Sequence, residues 1–198
     1  MREWRYQDEG GVAVPYQEAA WPETFLGDLF LKCQRITTRH GRLLDIMLPG
    51  SPITFGGWVS KIRTVPVALL LAKPNLEVAG FSILWEREGE PPFRRASFGF
   101  VFFPEFWGSG RIRGLARLGV RLWHEQYEVD RLWGTTLACN SSARRFAEQL
   151  GFHEAARLPG WFVSPGGFRD AVVYQHDRWE LKAWDQAAEA TDLEQQPA

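Results

Sequence analysis

The sequence predicts an α/β (α+β) domain with a mixed, mostly antiparallel sheet flanked by helices. Three observations predict it. Between residues 65 and 181, runs rich in Val, Leu and Phe alternate with segments whose apolar residues recur every three to four positions. The first three strand-like runs follow one another with short connections, the pattern of an antiparallel meander. The chain has 198 residues, 45% of them hydrophobic, and two cysteines. That suits a core needing neither disulfide nor metal.

Each element has its own signal. Residues 22–37 set Phe25, Leu29 and Ile36 on one face behind Pro22, which predicts an amphipathic helix. A shorter helix is expected over 55–63, after turn chemistry at Pro49-Gly50-Ser51-Pro52. Residues 1–64 are therefore expected to form an N-terminal helical elaboration of the same domain. Strands are predicted over 65–73, 78–86 and 96–103, with a turn at Asn75. Pro104 ends the third, because proline cannot donate to a ladder. A helix is expected over 110–127. Ile112, Leu115, Gly119, Leu122 and Trp123 share one stripe, and Arg113, Arg117 and Arg121 share another face. A strand over 131–139, a helix over 141–150 and strands over 154–163 and 168–179 follow, the last two joined by a hairpin turn at Pro165-Gly166-Gly167. Residues 65–181 thus hold the core of the domain. The acidic stretch 182–198 is expected to be a disordered tail.

Composition narrows the function. The formal net charge is −1, so no global field attracts nucleic acid or an anionic membrane. The start, MREWRYQDEGG, has no apolar signal-peptide core, and residues 65–72 are too few to span a bilayer. The expectation is a reduced, cytoplasmic protein without a membrane partner. Cys33 and Cys139 lie far apart with no CxxC spacing, so no metal site is expected.

The segment FFPEFWGSGRIRGLARLGVRLW is the one most suited to chemistry. A strand ends, glycines follow and a helix begins. The first helical N–H groups lack partners within the helix and carry partial positive charge. Gly108 and Gly110 remove side chains, so a phosphate can approach the backbone of residues 108–113: Gly108, Ser109, Gly110, Arg111, Ile112 and Arg113. Arg111 and Arg113 add charge-assisted contacts. A plain glycine turn into a surface helix fits the same residues. The nucleotide-binding GxxxxGK[ST] is absent, and Arg113 stands where a dinucleotide fingerprint has its third glycine.

Three motifs fall in order along the chain. They are Pro104-Glu105-Phe106-Trp107-Gly108-Ser109-Gly110, the helix segment NSSARRFAEQLGF beginning at Asn140, and GGFRDAVVY ending at Tyr174. Together they resemble the GNAT superfamily of N-acetyltransferases, closest to the branch that includes ribosomal-protein N-terminal acetyltransferases. The resemblance covers residues 65–181. It implies a sheet splayed between the third and fourth of these strands, with acetyl-CoA as cosubstrate. Phe102 and Phe103 would offer backbone groups to the pantetheine arm, and N–H groups of residues 109–113 would hold the pyrophosphate. Asn140 would bond the pantetheine arm, and a helix cap is open to it as well. The implied activity is acetyl transfer to a primary amine, either a protein N-terminus or a small-molecule amine.

The chain departs from that pattern in places. Ala147 stands where many relatives have a Tyr, Ala143 where the branch often has Ser, Ser97 where it often has Glu, and Ile112 where a small residue is usual. Asn140 and Ser142 are the candidate catalytic residues, with a helix-start role also open to Ser142. These departures leave a second reading, a non-catalytic acyl-CoA-binding module. Further candidates are His40 and Asp45, in the loop between the first two helices, as an acceptor-side base or as solvated loop residues, and Cys139 as a nucleophile or an inert thiol. Trp161, Phe162 and Phe168 are candidates for an acceptor wall or for packing in the core or a homodimer. His124 is read as structural, His153 as a surface residue, and His176 has no assigned facing.

Overall fold

Six consecutive buried residues, VALLLA, make the second strand, since a strand covered on both faces needs no polar alternation. The structure is a computed structural model. It describes residues 6–16, 22–40, 54–164, 167–184 and 186. His40 is placed only as the last residue of the first helix. Asp45, Pro165, Gly166 and the acidic stretch from residue 187 lie outside the described residues.

The elements run β1 (Gly11–Pro15), α1 (Glu23–His40), α2 (Phe55–Thr64), β2 (Val67–Ala72), β3 (Glu77–Glu88), β4 (Arg95–Phe102), α3 (Arg111–Gln126), β5 (Arg131–Leu137), α4 (Ser141–Gln149), β6 (His153–Ser164) and β7 (Gly167–Asp177). The hydrogen-bonding order is β1-β2-β3-β4-β5-β7-β6. β1 with β2, β2 with β3, β5 with β7 and β6 with β7 are antiparallel. β4 and β5 pair in parallel at Arg95↔Arg131, Ala96↔Leu132 and Ser97↔Trp133. This is the predicted mixed, mostly antiparallel sheet with helices.

The chain divides into two compact units. The first comprises Met1–Trp85 and Phe98–Leu122, the second Glu86–Ser97 and Trp123–Ala198. In the first, β1 and β2 bury Val12, Leu69 and Leu70, and α3 packs through Leu115, Ala116 and Val120. Backbone closeness is built in: a Cβ at Gly80 would lie 2.1 Å from the Val101 carbonyl oxygen. In the second, Leu132, Val172, Trp123 and Phe152 are buried, and Arg131 grips buried Asp177 at 2.6 and 3.1 Å.

Two features depart from the expected organisation. Residues 1–64 hold a strand as well as helices, because GVAVP pairs with β2 from Gly11↔Ala72 to Pro15↔Ala68. The expected boundary at Lys182 falls inside a helical turn, since residues 181–184 are helical. Trp184 lies against the His176 ring, centroids 4.9 Å apart.

Candidate active site

The glycine turn follows the end of β4. Phe103 donates its N–H to Ala79 O at 2.9 Å, anchoring the strand end. Pro104–Phe106 forms one 3-10 turn. The Trp107 indole N–H donates to Phe102 O at 2.9 Å, folding the half-exposed ring back over the strand end. Lys32 of α1 pairs with Glu105 at 3.4 Å and lies 5.1 Å from the Phe103 ring centre. Both backbone groups expected from the Phe102–Phe103 dipeptide thus include internal partners already.

Gly108 and Gly110 have φ of +75° and +73°, the left-handed region that disfavours a side chain. A Cβ at either would meet nothing within 4 Å, so the space before the turn is open. The Ser109 N–H and hydroxyl both donate to Phe106 O, at 3.3 and 2.7 Å, and the Arg113 N–H donates to Gly110 O. Among the described residues, the N–H groups of Gly110, Arg111 and Ile112 donate to no other group. These three are the orphan donors of a 16-residue helix. The N–H groups of Ser109 and Arg113 thus have partners within the turn, while those of Gly110, Arg111 and Ile112 do not. Arg111 and Arg113 are exposed and Ile112 is half-buried. No acidic residue stands in the first turn. Arg117, one turn on, has its pKa lowered by burial and then by the neighbouring Arg113 charge. Positive charge therefore accumulates at the positive end of the helix dipole, an arrangement relieved by an anion.

In the second unit, Asn140 caps α4: its Oδ1 accepts the Ala143 N–H at 3.1 Å. Ser142 is exposed on the same first turn, as are Cys139 and Asn140 beside it. Cys33 is buried, and burial pushes its thiol up to about 12, so it stays protonated. Ala147 is half-buried on α4. A phenol meets this helix from β7 instead. The buried Tyr174 hydroxyl donates to Glu148 at 3.0 Å and accepts from Arg144 at 3.3 Å. Burial raises the Tyr174 pKa, and its proton is committed to Glu148. Arg144 also reaches Ala138 O at 3.4 Å, tying α4 to the end of β5.

Sequence reasoning missed one carboxylate. The buried Ser97 hydroxyl donates to Glu86 Oε2 at 3.3 Å. Glu86 lies within β3, exposed, with φ of +45°. The signal available was the acidic run Glu86, Glu88, Glu90 facing Arg94 and Arg95, in which Glu86 alone has no arginine opposite.

The four histidines divide by burial. His153 is exposed, 2.6 Å from Gln175. His124 and His176 are buried against each other, so neither is a surface base. Trp161, Val163 and Phe168 stand exposed at the β6–β7 hairpin, with Phe162 half-buried.

No helix among the described residues is long and apolar enough to cross a membrane. A family model described as an acetyltransferase (GNAT) domain matches residues 53–153. No curated protein sequence matches. Solved structures do match in fold. A GNAT-family acetyltransferase from Bacillus anthracis has a TM-score of 0.66 at 15% identity, covering 88% of this chain and 98% of its own. A ribosomal-protein-S5-alanine acetyltransferase from Vibrio fischeri gives 0.63 at 13%, covering 87% and 95%. A spermidine N-acetyltransferase variant from Vibrio cholerae gives 0.67 at 14%, covering 87% and 96%. The matched region includes both the glycine turn and the capped helix behind β5, and the chain belongs to the GNAT acetyltransferase family.

Proposed function

We propose that this protein transfers an acetyl group from acetyl-CoA to a primary amine, either a protein N-terminus or a small-molecule amine. The observation that carries the reading is the open turn at Gly108 and Gly110, with three unpaired N–H donors at the start of α3. A pyrophosphate needs such a cradle, because it offers oxygens and no donors. Acetyl-CoA supplies the activated thioester. Gly110, Arg111 and Ile112 hold its pyrophosphate through backbone N–H, with Arg111 and Arg113 adding charge. Gly108 and Ser109 keep the turn open. The β4 edge up to Phe102 and Phe103 orients the pantetheine amides. Asn140 holds the start of α4 and Ser142 stands exposed beside it, the two residues closest in kind to a catalytic role on that helix.

Two fold relatives are named for primary-amine acceptors, an alanine of ribosomal protein S5 and spermidine. The amine class is proposed here on the same footing, and much of the rate then comes from positioning.

The test is release of CoA thiol from acetyl-CoA over a panel of peptides with free N-termini, polyamines and simple amines. Release that depends on an added amine is expected. Tight acetyl-CoA binding with no release on any amine would make the chain a non-catalytic acyl-CoA-binding module, the reading that Ala143 and Ala147 favour.

A further inference from the structure

We infer that the face of the β6–β7 hairpin carrying Trp161, Val163 and Phe168 is the surface through which two copies of this chain pair about a two-fold axis. Pairing of this kind is independent of the acetyltransferase reading above.

β7 pairs with β5 only as far as Leu137↔Ala171, with one further bond from the Ala138 N–H to Asp170 O. β6 and β7 run on together to Ser164↔Gly167. Among the described residues, 162–164 and 167–169 therefore form a two-stranded ribbon with no third strand beside it. A ribbon of this kind has little stability in water until one face is covered.

One face is apolar. Val163 and Phe168 stand directly opposite each other and so share a face, and strand alternation puts Trp161 on it too. Trp161, Val163 and Phe168 are 60%, 75% and 74% exposed, which takes them out of the core of their own chain. Three large side chains grouped across two strands and left to water mark a contact surface, unlike apolar residues scattered singly.

Charge selects a second copy as the occupant. A two-fold contact sets a patch against itself, so a free charge on it would meet its like. Here the nearby charges are drawn aside. The Asp170 carboxylate accepts the Gly160 N–H at 2.9 Å, Arg169 stands opposite Phe162 on the other face, and Arg157 pairs with Glu154 at 2.7 Å. A strongly charged partner finds nothing to recognise on this face, whereas an identical apolar face fits it.

The strand edge points the same way. β6 is the last strand of the sheet, where an extended peptide would add. Pro159 has no N–H to donate, and the register shifts between Leu158 and Phe162, with Gly160 at φ +61°. The edge is thus broken beside the three apolar residues, and contact is left to the face.

Area sets the strength. At these exposures the two aromatic side chains offer roughly 250 Å² per copy, and Val163 and the ribbon backbone add to it. A standard interface buries roughly 800 Å² on each partner, so the pair belongs among weak, reversible dimers. Its Kd should be on the order of micromolar or weaker.

The test is the mass of the whole chain in solution, by light scattering and sedimentation, over concentrations that bracket the micromolar range. Wild type should pass from monomer to dimer as concentration rises. Val163 lies between the two aromatics, so it comes closest to its own counterpart across the axis. Val163→Arg and Val163→Glu should each stay monomeric alone, and an equimolar mixture of the two should recover the dimer. Trp161→Ser should weaken pairing about tenfold or more. Each variant should melt with the wild-type monomer, because these side chains are mostly exposed in the single chain. If a charged variant melts lower, Phe168→Ser gives the same reading without a new charge. A wild type that stays monomeric throughout would overturn the proposal. So would a dimer that persists in Val163→Arg, which would place the interface elsewhere. A monomer that instead sediments with phosphatidylcholine vesicles would also overturn it, and would give the face to a bilayer.

Discussion

At the scale of single residues, the candidate site rests on two glycines whose reasons for being glycine are conformational. Gly108 and Gly110 both have left-handed φ, and nothing crowds either position. A side chain at Gly110 is thus disfavoured by the backbone alone, by about 1 kcal/mol, and aspartate tolerates that region better than most residues. Gly110→Asp should therefore fold with a melting temperature close to that of wild type. It should weaken CoA binding at least 100-fold, because it sets a carboxylate beside the unpaired N–H groups of Arg111 and Ile112. Calorimetric titration with CoA reads this directly, and wild-type affinity in the variant would place the phosphates elsewhere. The glycines were legible in the sequence because a strand, two glycines and an amphipathic stripe follow in order. Which N–H groups stay unpaired was not legible. That depends on Phe106 O capturing both Ser109 donors, a matter of turn geometry. Glu86 was hidden for a related reason, since its partner Ser97 lies eleven residues away on another strand.

At the scale of elements, periodicity found what local sequence dictates and missed what only pairing creates. The α3 stripe, the capped α4 and strands β2 to β7 all carry their own signal. β1 does not, because five residues of GVAVP have no stability until β2 is present. A signal for it does exist in the Asp8-Glu9-Gly10-Gly11 turn, where Asp8 Oδ1 accepts the N–H of both Gly10 and Gly11 at 2.8 Å. Gly11 is also where α3 comes close to β1. A Cβ there would lie 2.3 Å from a Leu115 methyl and 2.4 Å from the Leu71 carbonyl oxygen. The leucine can turn away, but the carbonyl belongs to the β2 ladder. Gly11→Ala should cost about 1–3 kcal/mol by overpacking, read from urea unfolding. α4 is the opposite case: nine residues, none fully buried, capped at its start by Asn140. Removing its cap should therefore be felt. Asn140→Ala should cost about 1 kcal/mol, and Asn140→Asp, which keeps an acceptor for the Ala143 N–H, should cost little. Equal stability of the two variants would show that the cap contributes nothing.

At the scale of the whole molecule, the net charge of −1 gives little reason for stability to vary near neutral pH. A buried histidine pair gives one. His124 Nδ1 lies 2.6 Å from Val129 O, a pure acceptor, so Nδ1 carries the proton. His124 Nε2 is then the acceptor for His176 Nδ1 at 3.0 Å, which leaves His176 Nε2 buried without a partner among the described residues. Both rings are thereby fixed as neutral tautomers. Burial lowers His124 to about 4, with Arg178 adding to it and Val129 O, Asp177 and Asp130 opposing. Burial lowers His176 to about 3, helped by His124 and His153, and Glu180 stays 3.9 Å from its Nδ1. The ordinary histidine value is 6.5. As pH falls below 6.5, the unfolded chain takes up these protons and the folded chain does not, so each step down favours unfolding. The contribution is fully present above pH 6.5. It is lost progressively down to the folded values of about 4 and 3, below which the slope from this pair ends. For His124 alone the loss is roughly 3 kcal/mol, at about 1.4 kcal/mol per pKa unit. Stability from denaturant melts should accordingly fall steeply between pH 6.5 and 4.5, ahead of the range where carboxylates protonate. Replacing both rings, as His124→Leu with His176→Leu, should flatten that limb whatever it does to stability at pH 7. An unchanged slope in the double variant would mean that the acid sensitivity belongs to other groups.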